Sequence, residues 1–301
     1  MRLALALAMT MTMVPLAAVS AQPVPSGWTR RERVMTGAPT AIACTASMAF
    51  ARTWEGRVTA LEDGASRVLG PASPTTAFGR ELAVTRDGHV VMPVAEGIAI
   101  HDGSAWHTLP IAWPAGRPHV VADVIAFDDA HVYFASEGAI GARDSGTLGL
   151  RSVGTWRSIE GLAGTGPAAL WAVGQGGTVM RWDGAHWARE TTSTDAWLRG
   201  IAVQSTGEAW AWSEARIFRR DAHAWSTTSY GSPVGRVARV VVHGSTAFLV
   251  GDGGVARWTG AWTAEIGSVE LGSYASVADA CATDHTLEVV LTTGDQLTRA
   301  L

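Results

Sequence analysis

The chain contains no lysine and no asparagine, so all 23 of its basic side chains are arginine. Both missing residues use codons that begin with two adenines, and their joint absence reads as GC-rich coding rather than chemistry. Without asparagine there is no N-glycosylation acceptor. Cysteine is limited to 2 residues, tyrosine to 3, and charged residues to 17% of the 301 positions. A net charge of −4 supplies no electrostatic pull toward nucleic acid or an acidic membrane. Beyond the first 21 positions no apolar run lasts longer than about 8 residues, against the roughly 20 that a spanning helix needs. No HExxH, close histidine pair or Cys–His spacing appears, so no metal and no cofactor is expected. What is present is ample core material: 47% hydrophobic residues, 34 glycines and 14 tryptophans, which argues against disorder.

The first segment reads as an export signal. Met1 and Arg2 are followed by an apolar stretch, Leu3 to Ala18, and by the small-residue sequence Val19-Ser20-Ala21. Cleavage after Ala21 would leave residues 22–301 as one domain in the periplasm or outside the cell. A membrane anchor suits the stretch less well, because the run is short and broken by Pro15.

A period near forty residues organises the rest. Marking the turn after the second strand of each unit gives Gly56, Gly97, Gly138, Gly177, Ala215, Gly254 and Gly294, at intervals of 41, 41, 39, 38, 39 and 40. Each unit reads as four short strands, A to D. Strand A is an apolar run such as Val240–Val242, strand B is of the Trp171–Val173 type, and strand C ends in Asp-Gly or a relative of it. Asp-Gly tolerates positive backbone torsions and closes a hairpin readily. Strand D starts near Trp106, Trp156, Trp187, Trp225 and Trp262. Glycine and proline are too frequent for long helices. Four antiparallel strands repeated at this period predict an all-β, seven-bladed β-propeller of four-stranded antiparallel blades. One blade cannot bury both faces alone, so blades stack around an axis.

The seventh unit runs from Val277 to Leu301 and stops before a strand D. The segment Trp28 to Val34 resembles the strand D opening at His186–Glu190, so the N-terminal strand is expected to close the last blade and leave none open. Cys44 and Cys281 both fall on strand A, in the first and last units, at this seam. In an oxidising compartment they would form one disulfide; the alternative is two buried thiols.

The run Trp171-Ala172-Val173-Gly174-Gln175-Gly176-Gly177-Thr178-Val179-Met180-Arg181-Trp182-Asp183-Gly184-Ala185-His186-Trp187 resembles the BNR-like repeat of secreted bacterial propellers. It is similar also to repeats of the photosystem assembly factor type. The resemblance covers the repeat architecture. The sialidase-type Asp-box has a Ser or Thr two places before the Asp and a spacer before the Gly, and Arg181-Trp182-Asp183-Gly184 has neither.

The recurring tryptophans read as packing between blades, and the Asp of Asp102-Gly103, Asp183-Gly184 and Asp252-Gly253 as turn formers rather than calcium ligands. His89, His131, His243 and His285 read as solvated turn residues. Gly174–Gly177 reads as a hairpin turn, because no helix follows to make it a dinucleotide fingerprint. One pattern points to a site. Arg80, Arg117, Arg199 and Arg236 recur just before strand A, and Trp197, Tyr230 and Tyr274 lie in the same D-to-A connections. They would line one mouth of the central channel, positive and aromatic, suited to a protein, glycan or other anionic ligand. No catalytic set is evident, so the chain reads as an exported, monomeric, non-catalytic binding or scaffold propeller. The alternative is a propeller-type, sialidase-like glycan hydrolase, with Glu81, Asp123 and Asp195 as the carboxylates near the arginines in sequence.

Overall fold

The computed structural model describes residues 23–62, 65–71, 81–116, 119–144, 147–214, 216–221, 224–228, 234–272 and 275–301. The export signal expected over residues 1–21 lies outside them, as do Arg80, Arg117, Tyr230 and Tyr274.

The regular secondary structure of the described residues is almost entirely strand. It opens with β1 (Trp28–Arg31). Then come β2 (Pro39–Cys44), β3 (Ala49–Thr53), β4 (Arg57–Glu62) and β5 (Ala65–Pro71), followed by β6 (Ala83–Val84), β7 (Val90–Val94), β8 (Gly97–His101) and β9 (Trp106–Ala112). The next eight are β10 (Asp123–Ala126), β11 (Val132–Ser136), β12 (Ala139–Asp144), β13 (Thr147–Ser152), β14 (Ile159–Gly166), β15 (Ala169–Gly174), β16 (Thr178–Trp182) and β17 (Trp187–Arg189). The chain continues through β18 (Gly200–Val203), β19 (Ala209–Trp212), β20 (Ile217–Arg220), β21 (Trp225–Thr228), β22 (Val237–His243), β23 (Thr246–Gly251), β24 (Gly254–Trp258) and β25 (Trp262–Ile266). It finishes with β26 (Val277–Ala282), β27 (Thr286–Leu291) and β28 (Gln296–Ala300). A single helical turn, α1 (Ser268–Leu271), precedes β26.

These strands form five four-stranded sheets and one of eight. The eight-stranded sheet is two antiparallel groups, β6–β9 and β10–β13, joined by a short parallel pairing of Leu148 with Ile111 and Gly149 with Ala112. The first strand of every group touches the first strand of the next, from β2 through β6, β10, β14, β18 and β22 to β26, which returns to β2. The circuit is closed and its inner wall is built from these strands.

Middle strands are apolar on both faces because each group is sandwiched between two others. Every residue of β3, β7 and β8 is buried. Buried apolar side chains fall into clusters that each span two neighbouring groups: Phe50 and Val58 with Met92, Phe134 with Ile98, Trp171 with Phe218, and Leu249 with Trp210. Burying one such side chain contributes about 1.5–3 kcal/mol.

The chain ends meet as expected. β1 pairs antiparallel with β28, Trp28 opposite Arg299 and Arg30 opposite Leu297, although the strand ends at Arg31 rather than reaching Val34. Arg30 also bonds Asp295 at 2.7 Å across this seam. Cys44 of β2 and Cys281 of β26 form a disulfide across a sequence separation of 237.

Trp106, Trp187, Trp225 and Trp262 open β9, β17, β21 and β25 and pack against the preceding group, as Trp28 does. Trp156 departs from this pattern. Strand β13 is complete at Ser152, so Trp156 falls in the connection to β14 and is 85% exposed. The strand that should begin there begins at Thr147 instead, where Leu148 can cover Ile111 of the neighbouring outer strand.

Candidate functional site

Strand register places one residue of each group at the same level of the inner wall. These are Ala41, opposite Arg52; Asp123, opposite Ala135; Gly161, opposite Val173; Gly200, opposite Trp212; Arg239, opposite Val250; and Asp279, opposite Val290. Glu81, two residues before Ala83 of β6, completes the level. Four of the seven positions therefore carry charge where a propeller's inner strand needs none for packing.

Arg239 is the hub. Its guanidinium bonds Asp279 on the adjacent strand at 2.5 Å and reaches Glu81 at 3.1 Å. Asp279 also accepts the Ile42 backbone N–H at 3.0 Å, and Arg52 donates to the Glu81 carbonyl at 3.1 Å. Asp123 accepts the Leu162 N–H at 2.6 Å and its neighbour Val124 N–H at 2.8 Å. Glu81 and Arg239 are surrounded by protein yet keep 27% and 31% of their side-chain surface, because they face the channel. Burial pushes the Glu81 carboxyl above the usual carboxylate range against the pull of Arg239. Asp123 is pushed well above that range, first by burial and then by the charge of Glu81. For Arg239 burial acts downward, but Asp279 and Glu81 overcome it and hold the guanidinium firmly charged. Burial lowers Arg52, which is 1% exposed.

Glu81, Arg239 and Asp279 of this level form the floor of an open cavity of about 920 Å³ at the end of the channel where the inner strands begin, while Asp123 and Gly200 line a second cavity of about 370 Å³ within the channel, which Glu81 and Arg239 also line. Arg199 and Arg236, expected at a mouth, both line it. Arg199 stacks 3.8 Å from the Trp197 ring and bonds Glu214 at 2.9 Å. The Arg236 backbone N–H donates to Asp252 at 2.8 Å. The described lining is mixed in sign rather than positive: Arg52, Arg199, Arg236 and Arg239 face Glu81, Glu160, Glu214, Asp252 and Asp279. Glu81 and Asp123 converge near Arg239, Asp123 from the channel cavity beneath, whereas Asp195 is exposed and lines neither cavity.

The two rims differ. Large apolar side chains that are exposed include Trp54, Val120, Trp156, Trp197 and Val269, all in connections at the cavity end; Val68 and Leu301 are the only others among the described residues. Among the described residues the exposed large apolar side chains are thus concentrated at the cavity end. At the other end the channel opens through a cavity of about 360 Å³ lined by Cys44, Thr85, Phe127, His243 and Asp284. There His131 pairs with Asp128 at 2.9 Å and His89 with Asp129 at 2.8 Å.

Asp102 and Asp183 accept backbone N–H groups two and three residues on, which is turn chemistry. Asp252 sits instead in the turn between β23 and β24, on the cavity wall. Arg239 and Asp279 were overlooked by reading the arginines before strand A rather than the charges inside it. Their signal is present: Val237-Ala238-Arg239-Val240 and Val277-Ala278-Asp279-Ala280 each place one charge in an apolar run, forty residues apart.

A closed circuit of four-stranded antiparallel groups around a channel defines the chain as a β-propeller. No family model and no curated protein matches its sequence. Solved structures do match. Virginiamycin B lyase from Staphylococcus aureus superposes with a TM-score of 0.72 at 14% identity, covering 91% of this chain and 99% of that one. YCF48 bound to a D1 peptide gives 0.68 at 13% identity, covering 93% and 99%. A chain of the mitotic checkpoint complex gives 0.70 at 14% identity, covering 99% and 98%. At these identities the likeness is one of fold, and one fold serves unrelated functions.

Proposed function

We propose that the protein is an exported, non-catalytic binding or scaffold propeller of seven blades, which holds its ligand in the 920 Å³ cavity. The blade count takes the eight-stranded sheet as two blades. The repeats are of the BNR-like type. The disulfide supports an oxidising compartment, periplasmic or extracellular, as the N-terminal signal does. Among the described residues no helix is long and apolar enough to cross a membrane.

One observation carries the reading: the cavity joins Arg199 and Arg236 to a rim with exposed tryptophans at Trp54, Trp156 and Trp197, at the end that holds most of the exposed large apolar side chains among the described residues. YCF48 is seen with a peptide bound, which supports this fold as a binding platform. The test compares immobilised mature protein with an Arg199→Ala/Arg236→Ala double variant against fractionated envelope extract and a glycan array. Retention of the same molecules by both proteins refutes the cavity as the binding seat.

A second reading draws on the convergence of Glu81 and Asp123, both pushed upward in pKa, beside Arg239. Raised carboxyl pKa values suit a general acid. On that reading the protein is a glycan-processing hydrolase. A fluorogenic glycosidase panel separates the two: turnover that disappears in Glu81→Gln or Asp123→Asn establishes the hydrolase, and no turnover leaves the binding module.

A further inference from the structure

We propose that the ligand class of the cavity is an uncharged oligosaccharide; this rests on the cavity being the binding seat. The argument begins with charge. Arg199 is already neutralised by Glu214 at 2.9 Å and is held flat over Trp197 at 3.8 Å. At the floor, Arg239 lies between Glu81 and Asp279. An ion pair in place has little charge left to offer an anion or a cation, and a charged ligand would have to break the pair to gain one.

The same pairs keep much hydrogen-bonding capacity. A guanidinium has five N–H donors in a plane, and a carboxylate has about four acceptor sites. Glu214 occupies one donor of Arg199, and a second guanidinium nitrogen stands 4.0 Å from a Glu160 carboxylate oxygen. Closely set donors and acceptors with little net charge suit vicinal hydroxyl groups, each of which both donates and accepts.

The rim supplies the apolar half of the chemistry. Trp54 is 66% exposed on the cavity lining, and Trp197 is 44% exposed with Arg199 against its ring. The exposed part of each indole offers apolar area at the edge of a polar cavity that a ligand can cover. The C–H face of a pyranose is flat, apolar and matched to an indole, while its hydroxyls project sideways toward the wall. A volume of about 920 Å³ lies at the upper end of ligand cavities and suits several sugar rings better than one.

The experiment titrates the mature protein with uncharged hexasaccharides of glucose, N-acetylglucosamine and mannose, following tryptophan emission and heat. Sialyllactose, a sulfated hexasaccharide and a displayed random-peptide library are run beside them. At least one uncharged hexasaccharide is expected to bind, to perturb tryptophan emission, and to keep its Kd within about twofold when salt is raised to molar levels. Trp54→Ala and Trp197→Ala should each weaken it about tenfold, the loss of one stacking contact. Both variants must keep the wild-type thermal midpoint. Exclusive binding of the charged glycans, weakened by salt, overturns the uncharged class but keeps the cavity. Selection of peptides alone, lost in Trp197→Ala, does the same. Binding of any probe that ignores all cavity substitutions overturns the cavity itself. Absence of binding to every uncharged hexasaccharide at millimolar concentration overturns the proposal.

Discussion

Reducing the Cys44–Cys281 bond should strip the ring of its covalent latch, and the size of the effect follows from where the cysteines sit. They lie 237 residues apart, on β2 and β26, which are in contact on the inner wall. In the folded ring the two strands are neighbours with or without the bond. In the unfolded chain the bond forbids every conformation in which they separate. Chain-entropy scaling for a loop of this length gives about 5 kcal/mol as the ceiling of stabilisation. With a urea slope of about 3 kcal/mol/M, losing that amount lowers the midpoint by roughly 1.5 M. The assay compares oxidised protein, reduced protein and a Cys44→Ala/Cys281→Ala variant by urea titration. Two further readings isolate the cause. The slope itself should rise on reduction, because an unlinked unfolded chain exposes more surface. In concentrated urea the oxidised chain should also elute as the smaller particle. Coincident midpoints, with equal sizes when unfolded, would refute the reasoning, because the loop would then not be closed. A lower midpoint with no change in unfolded size would place the effect in native packing around the cysteines.

Three further outcomes follow from named contacts. In Arg239→Met the Glu81 and Asp279 carboxylates lose their shared partner; the cost should be about 3 kcal/mol in chemical denaturation, and a variant as stable as wild type would show that the floor pairs contribute nothing. Asp123 has a folded pKa raised above its unfolded value, so its favourable contribution exists in acid and is lost as pH rises through the folded pKa. The midpoint of Asp123→Asn minus that of wild type should therefore climb from the ordinary carboxylate range upward through weakly acidic pH, and a flat difference contradicts the raised pKa. At the turn before β24, a methyl group on Gly254 would lie 2.1 Å from the Ile266 carbonyl oxygen, whereas one on Gly207 meets nothing within 4 Å. Gly254→Ala should cost about 3 kcal/mol and Gly207→Ala about 1 kcal/mol, read as midpoint shifts against wild type.

How far the sequence could be read depended on whether a feature repeats. The turn marks at Gly97, Gly138, Gly177 and Gly254 were legible because the same close turn recurs every forty residues: Gly138 and Gly177 fall between the second and third strands of their groups, and Gly97 and Gly254 open the third. The seam was legible for a related reason: Trp28 repeats the opening of β17, and the cysteines repeat a strand position. Trp156 misled because tryptophan is an indirect mark of the outer strand. Strand β13, which pairs with β9, begins at Thr147, nine residues earlier, and leaves the indole in a connection. The arginines before strand A were partly legible. Arg199 and Arg236 do reach the cavity, but Glu214, which pairs with the Arg199 guanidinium, and Asp252, which accepts the Arg236 backbone N–H, come from turns fifteen or more residues away, and no local pattern pairs them.

Repetition also says where function must be sought in such a fold. A position that is alike in every blade answers to packing, since every interface between neighbouring blades poses the same problem. The tryptophans that open β9, β17, β21 and β25 are of this kind. A position that differs from blade to blade at one level of the wall cannot be explained by that shared problem. Ala41, Glu81, Asp123, Gly161, Gly200, Arg239 and Asp279 occupy one level, and they range from no side chain to a guanidinium. The charged members cost desolvation that alanine or glycine at the same level avoids, as the upward pKa shifts of Glu81 and Asp123 show. Packing alone would have left this level uniform and small. On the proposed reading of the cavity as the binding seat, the asymmetry serves what enters the channel, and a ring with alanine at all four charged positions should keep its fold while losing whatever the cavity holds.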